Sequence, residues 1–293
     1  MSETPSLEQL LKRDRVISLL GLALLCVLAW AYIASGAGMG MSARDMTTFS
    51  LFPHTEPQTE MAPDAMPGMS MPSTAPMDAM PMAATGWSVS TVLLVVAMWW
   101  VMMIAMMIPS AAPAVLLYAR VYRHAAKQGQ IEQKAAPTGP FVAGYLLVWL
   151  AFSVMAASLQ RALVQAGLVS EMMMTSQSRW LSGGLLIVAG LYEISPLKGL
   201  CLDHCRSPIG FLTKNWRPGA AGAARLGVLH GAYCVGCCWA LMALLFVGGV
   251  MNLLWIAMLA ALALIEKVAP GGPWIGRGLG VALIVWGVVV VFV

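Results

Sequence analysis

Apolar runs of about twenty residues alternate with short polar segments along most of the chain. A helix needs about 20 mainly apolar residues to cross the hydrocarbon core of a bilayer. The second run is interrupted by Pro109 and Pro113, and the sixth run is short. The pattern therefore predicts an all-α, polytopic integral membrane helical bundle of about seven (6–7) transmembrane helices. The predicted spans cover residues 16–35, 88–119, 140–163, 180–197, 226–247, 253–265 and 275–293.

The positions of lysine and arginine predict the orientation of these spans. Of the 17 basic residues, all but Arg44, Arg161 and Arg179 fall on the side of the N-terminus if there are seven spans. Because basic residues accumulate in cytoplasmic segments, we expect a cytoplasmic N-terminus. A multi-pass protein of the bacterial inner membrane, with the lipid bilayer as its first partner, is the expected localisation. A miscount at the short sixth span would move only the C-terminus.

The composition supports a membrane protein and excludes several other classes. Hydrophobic residues make up 59% of the chain and charged residues 10%, whereas soluble domains carry about 25% charged residues. This excludes a water-soluble enzyme, a disordered chain and a disulfide-stapled secreted fold. The net charge is +4, and the basic residues lie mainly at the ends of the spans. We therefore expect no nucleic-acid partner.

Residues 36–86 form a polar interruption between the first two spans. The segment contains ten methionines, seven prolines and His54, and it has no apolar period to bury. We therefore expect three parts: a cytoplasmic N-terminus with the first span (1–35), a disordered extracytoplasmic Met/Pro-rich loop (36–86) and a multi-span metal-binding domain (87–293). Thioethers are soft, uncharged ligands that favour Cu(I), so the loop is interpreted as a copper-capturing tether. A low-complexity linker that happens to use methionine is the alternative.

Methionines also follow one face of the second span. Met98, Met102 and Met106 recur at intervals of four residues, and Met103 and Met107 lie beside them. Residues four apart share a helix face, so these thioethers could relay Cu(I) inward. The alternative is that methionine simply fills irregular gaps between packed helices.

Cysteine and histidine concentrate in two segments that the predicted topology brings to one membrane face. On a helical wheel, four of these residues share one stripe of the fifth span, and the others follow the fourth span. Thiolates and imidazoles brought together in this way suit Cu(I), with Zn(II) as a second possibility. The predicted metal ligands are Cys201, His204, Cys205, His230, Cys234, Cys237 and Cys238, together with Met98, Met102 and Met106.

Four motifs stand out along the second to fifth spans: the segment 100–109, Lys198-x-x-Cys201-Leu202-x-x-Cys205-Arg206-x-Pro208, Trp216-x-x-Gly219, and Gly231-x-Tyr233-Cys234-x-Gly236-Cys237-Cys238-Trp239. Together they resemble those of a bacterial family of predicted metal-binding integral membrane proteins, which is formally a domain of unknown function. The resemblance spans roughly residues 88–268. It implies metal binding and a role in supplying copper to copper-dependent oxidases.

Taken together, these patterns predict a Cu(I)-handling membrane protein, either a copper chaperone or a transporter. Its expected partner is a copper-dependent oxidase or a copper-carrier protein. No catalytic residues are predicted, because the chain lacks His-Glu-x-x-His, Gly-x-Ser-x-Gly and the nucleotide-binding Gly-x-x-x-x-Gly-Lys-[Ser/Thr]. A membrane thiol–disulfide oxidoreductase using Cys234 and Cys237 is the first alternative, and a non-catalytic scaffold is the second. Glu193, a carboxylate within the fourth span, either stabilises a nearby cation or is protonated or paired within the bundle.

Overall fold

The structure is a computed structural model that describes residues 7–36, 47, 87–129, 136–170 and 174–292. Within these ranges the chain is helical, and no β-strand occurs; a single bridge joins Val169 and Ser176. The predicted all-α class is therefore confirmed for the described residues. The helices are α1 (Leu7–Ala34), α2 (Val89–Lys127), α3 (Thr138–Gln165), α4 (Arg179–Ile194), α5 (Pro196–Arg206), α6 (Pro208–Asn215), α7 (Gly219–Ala243), α8 (Leu245–Gly248), α9 (Leu253–Val268) and α10 (Gly272–Phe292).

Five of these helices are long and apolar enough to cross a membrane, as judged by length and composition. They are α1 from Val16 onward, α2, α3, the α7–α8 segment and α10. The pair α4 and α5 passes the same test only when joined, with a bend of 62° between them. The predicted sixth span corresponds to α9, whose 16 residues extend roughly 24 Å against about 30 Å of hydrocarbon. The predicted count of seven is therefore not confirmed.

Helix α2 is the central element of the bundle. It packs against α1, α3 and α9, while α3 lies along α7 and α4 lies along α10. The helix continues through Pro109 and Pro113 and ends at Lys127, further along the chain than predicted. Its most buried stretch runs from Met102 to Ile108, where no residue is more than 6% exposed.

Glycines allow two of the helix pairs to approach closely. A Cβ on Gly280 of α10 would lie 2.8 Å from the carbonyl oxygen of Gly190 on α4. A Cβ on Gly227 of α7 would overlap the carbonyl group of Phe141 on α3. These pairs can therefore pack backbone to backbone only because the side chains are absent, as small-residue interfaces in membranes do.

The predicted loop 36–86 lies outside the described residues, apart from Gly36 and Thr47. The hydroxyl oxygen of Thr47 accepts a hydrogen bond of 3.4 Å from the backbone N–H of Leu253, at the start of α9. The predictions of disorder and copper capture in this loop therefore stay predictions.

Candidate metal centre

Helix α7 provides three buried cysteines within one and a half turns. Cys234, Cys237 and Cys238 are each 1% exposed. The thiols of Cys237 and Cys238 both donate hydrogen bonds to the carbonyl oxygen of Cys234, over 3.1 and 2.9 Å. Both sulfurs are therefore held next to the Cys234 carbonyl group, one helical turn earlier in α7. The predicted stripe of cysteines on this helix is therefore present.

Helix α5 brings two further cysteines against α7. Cys205 Sγ lies 3.9 Å from Cys237 Sγ. Cys201 Sγ approaches α7 at Gly236, where a Cβ would lie only 2.9 Å from the sulfur. Both α5 cysteines are half-buried, in contrast to those of α7. The sulfurs of α5 therefore lie between the surface and the buried thiols.

The bend between α4 and α5 has a local sequence cause. Ser195 separates the two helices, and its side chain accepts a hydrogen bond from the backbone N–H of Lys198, over 3.3 Å. Pro196 occupies the first position of α5, where its missing N–H costs nothing. A serine cap followed by proline begins a new helix, so the chain turns and Cys201 and Cys205 face α7.

Helix α2 contributes a thioether to the same place. Met107 Sδ lies 3.8 Å from Cys238 Sγ. Tyr145 of α3 contacts both helices, because its hydroxyl group lies 3.1 Å from Cys234 Sγ and donates to the Met107 carbonyl oxygen over 3.3 Å. Met107, Cys205, Cys234, Cys237 and Cys238 are called the sulfur cluster below.

The spacing of the sulfurs fits the donor set of a soft metal ion. Two sulfurs bound at about 2.3 Å to one tetrahedral or trigonal ion lie roughly 3.8–4.0 Å apart. The Cys205–Cys237 and Cys238–Met107 pairs have separations of 3.9 and 3.8 Å. Within the described part of the chain, no three His, Cys, Asp or Glu side chains come together as a group that could hold a metal ion. To bind a metal ion with three ligands, this site must therefore use the Met107 thioether or move its thiols slightly closer together.

A lysine from α9 completes the surroundings of the sulfur cluster. Lys267 Nζ lies 3.0 Å from Cys234 Sγ, 3.2 Å from Ser110 Oγ and 3.9 Å from Met107 Sδ. The residue is only 8% exposed. Lys267 was not among the predicted site residues. The available signal was the pair Glu266-Lys267 directly after a long apolar run, in a segment where charge is costly.

The two predicted histidine ligands contact aromatic rings. His230 is buried among aromatic rings, with ring centroids 5.8–6.1 Å from those of Phe141, Tyr145 and Phe211. His204 is exposed, and its ring stacks on Tyr233 at 4.1 Å while Nδ1 lies 2.8 Å from the Leu200 carbonyl oxygen. Neither imidazole makes a described contact with a cysteine sulfur, so their role as ligands stays a prediction.

The predicted methionine column is buried inside the protein. Met98, Met102 and Met106 are at most 1% exposed, and so are Met103 and Met107. The thioethers therefore face other helices. Of the five, Met107 has a described contact with a cysteine sulfur, although Met98, Met102 and Met106 were the predicted ligands.

A second buried polar group is formed by residues of α4, α5 and α9. Lys198 pairs with Glu193 and, over 2.7 Å, with Glu266. Arg206 donates hydrogen bonds to the backbone carbonyl oxygens of Glu266 and Pro270. Glu193, Lys198 and Glu266 are called the charged triad below. The pairing of Glu193 within the bundle, one of its two predicted roles, is therefore the one observed.

The model of the PpoB2 family, described as copper chaperone, matches residues 96–290. The matched segment begins in α2 and ends in α10, so it contains every residue of the sulfur cluster. No curated protein and no solved structure matches the chain.

Proposed function

Because the chain belongs to the PpoB2 copper chaperone family and so handles copper, we propose that it is an integral membrane Cu(I) chaperone of the bacterial inner membrane. The sulfur cluster holds the ion, which is the cargo and is passed to a copper-dependent oxidase or a copper carrier. The observation that carries this proposal is the convergence of four free thiols and one thioether from α2, α5 and α7. Burial of so many soft donors at one point is characteristic of a soft-metal site.

The chemistry of the donors favours copper in its reduced state. Thiolate and thioether ligands select Cu(I), and a thioether binds without losing a proton. Met107 therefore adds a ligand without adding charge to a buried site. Cys238 contacts Met107, and Cys234 shares Tyr145 and Lys267 with it, so these two cysteines form the inner part of the site. Cys205 and Cys237 form a second pair, of which Cys205 is half-buried.

The half-buried cysteines of α5 offer a path for exchange. Copper that enters at Cys201 can move to the Cys205–Cys237 pair and then to Cys234 and Cys238, since each step replaces one sulfur ligand by a neighbour. A second path follows Met98, Met102 and Met106 down α2, with roughly 6 Å between successive residues of the column. In this proposal, the methionines of 36–86 supply that second path from outside.

Copper stoichiometry of the full chain tests the proposal. The detergent-purified protein is loaded with Cu(I) under anaerobic conditions, washed with a moderate chelator and analysed for metal. We expect about one ion per chain in the washed protein, and loss of that ion in the Cys234→Ser/Cys238→Ser variant. A Cys26→Ser variant is the matched control, because Cys26 of α1 lies outside the sulfur cluster and its thiol faces the Ala105 carbonyl oxygen.

Deletion of residues 36–86 separates the two parts of the proposed path. The deletion variant is expected to keep the chelator-resistant ion and to lose only weakly held copper. If the wild type retains no copper after the wash, or if the cysteine variant retains as much as the wild type, the proposal is wrong.

The approach of Cys205 to Cys237 also suits a second function, thiol–disulfide exchange. Their sulfurs are 3.9 Å apart and both thiols are free. An oxidoreductase built here would pair cysteines of two helices, in place of the Cys234-Val235-Gly236-Cys237 motif. A thiol count under defined redox buffers distinguishes the two functions, since reversible loss of two thiols without copper binding would favour the enzyme. Absence of both activities would leave the scaffold interpretation.

A further inference from the structure

Lys267 is a buried cation that lies against sulfur atoms. Its Nζ contacts Cys234, Met107 and Ser110. In the part of the chain that the structure describes, the carboxylates within ion-pair distance of a lysine are Glu193 and Glu266, and both pair with Lys198. Lys267 is therefore surrounded by thiol, thioether and hydroxyl groups. The carboxylate of the adjacent residue, Glu266, pairs with Lys198 instead.

Such an arrangement requires a counter-charge from the sulfur cluster. A buried ammonium group without an anionic partner costs several kcal/mol. The thiol of Cys234, at 3.0 Å, can supply a negative charge at this position as a thiolate or as part of a metal–thiolate complex. The charge of Lys267 must therefore be counted in any complex formed at the inner sulfurs.

We propose that Lys267 is a specificity-determining residue that makes the inner site favour a monovalent soft ion on two thiolates. This inference rests on the proposed copper function. Cu(I) brings one positive charge, Lys267 a second, and the thiolates of Cys234 and Cys238 balance them, while Met107 stays neutral. The two thiols release their protons to solvent as they bind.

A divalent ion cannot satisfy the same arrangement. Zn(II) on two thiolates beside Lys267 leaves one uncompensated positive charge in a buried site, which is unfavourable. Neutrality would require a third thiolate, and the next one available belongs to the Cys205–Cys237 pair. Lys267 thus selects by charge, in addition to the selection by ligand softness.

Competition between Cu(I) and Zn(II) for the full-length protein in detergent tests the inference. The probes are the two metals alone, each buffered by a chelator of known affinity. In Lys267→Leu, which introduces neither charge nor sulfur, the affinity for Cu(I) should fall and that for Zn(II) should rise. A unit charge about 4 Å away changes the Cu(I)/Zn(II) preference by on the order of 100-fold or more. Lys267→Arg, which retains the charge, should keep the preference for Cu(I).

A second pair of variants keeps Lys267 and tests the same charge effect, so that the test does not depend on correct folding of Lys267→Leu. Ser110 Oγ lies 3.2 Å from Lys267 Nζ, so Ser110→Asp places an anion beside the lysine. The aspartate would compensate the positive charge of Lys267, so the metal preference should shift toward Zn(II), as in Lys267→Leu. Ser110→Asn has the same shape without the charge and is the matched control.

The outcomes separate the inference from the proposed function. If the wild type binds Cu(I) through its cysteines but Lys267→Leu and Ser110→Asp keep the wild-type preference, the inference is wrong and the chaperone proposal stands. Tighter Cu(I) binding by Lys267→Leu would also overturn it, because the lysine would then merely compete with the metal. If the wild type binds no Cu(I), both fail.

Discussion

Met107 differs from the other methionines of α2 because its thioether reaches a cysteine. Its Sδ lies 3.8 Å from Cys238 Sγ and 3.9 Å from Lys267 Nζ. Met103 is equally buried, one turn away on the same helix. Burial alone is consistent with core packing, so the contact with Cys238 is what distinguishes a ligand from a gap-filling side chain.

Replacement of Met107 by leucine tests this distinction. Leucine conserves volume and removes only the sulfur, so the cost in stability should stay below about 1.5 kcal/mol. We expect Met107→Leu to weaken Cu(I) binding roughly tenfold, since one soft ligand is lost. Met103→Leu is the control and should bind copper as the wild type does. Equal affinities in competition titrations would assign Met107 to packing.

The residues of the site differ in how far the sequence alone could predict them. Cys234, Cys237 and Cys238 follow from helical spacing within a single segment, and their common face is present. Tyr145, Ser110 and Lys267 come from three other helices, and no spacing rule relates them to the cysteines. The aromatic surroundings of His230 likewise depend on how α3 and α6 pack against α7. These contacts between different helices depend on tertiary packing, which leaves no periodic pattern in the sequence from which they could be predicted.

At the scale of elements, α5 holds its cysteines in place through two sets of contacts that lie along one stripe of the helix. Cys201 and Cys205 face α7, whereas Lys198 reaches Glu193 on α4 and Glu266 on α9. The charged triad therefore ties α5 to α4 and α9 after the 62° bend between α4 and α5. On α9, the adjacent residues Glu266 and Lys267 divide in the same way between the triad and the sulfur cluster.

Removal of the lysine from the triad should destabilise the protein. Lys198→Met leaves two buried carboxylates close together without a cation, which costs about 3–5 kcal/mol. Thermal unfolding in detergent should therefore show a clear decrease in Tm. Lys214→Met, which changes an exposed lysine of α6, should leave Tm nearly unchanged.

A triple variant makes this prediction specific to charge. Adding Glu193→Gln and Glu266→Gln to Lys198→Met removes the unpaired carboxylates and should restore much of the lost stability. No recovery in the triple variant would mean that Lys198 acts through packing of its aliphatic stem.

At the scale of the whole molecule, the count of membrane crossings depends on α9 and on the α4–α5 pair. Helices occupy all seven predicted positions, yet five satisfy the length and composition of a span independently. Apolar runs predicted which segments become helices, because a helix that faces lipid and a helix that is buried in protein are both rich in apolar residues. They could not predict that α5 would bend away from α4, or that Glu266 and Lys267 at the end of α9 would contact Lys198 of α5 and Cys234 of α7.

Reporter fusions test the proposed topology. With a cytoplasmic N-terminus and seven crossings of the inner membrane, the C-terminus after α10 lies in the periplasm. A periplasm-dependent phosphatase fused there should be active, and a fluorescent protein that folds only in the cytoplasm should be dark. The same pair of reporters fused after Lys127 should give the opposite pattern. A fluorescent C-terminal fusion would mean that one helix does not cross.

The central claim is that copper is held by sulfur atoms of the sulfur cluster. X-ray absorption spectroscopy of the washed, Cu(I)-loaded full-length protein tests it most directly. The account predicts an edge typical of Cu(I) and a first shell of sulfur only, with one sulfur fewer in Met107→Leu. A first shell containing nitrogen or oxygen, unchanged in Met107→Leu and in Cys234→Ser/Cys238→Ser, would contradict it.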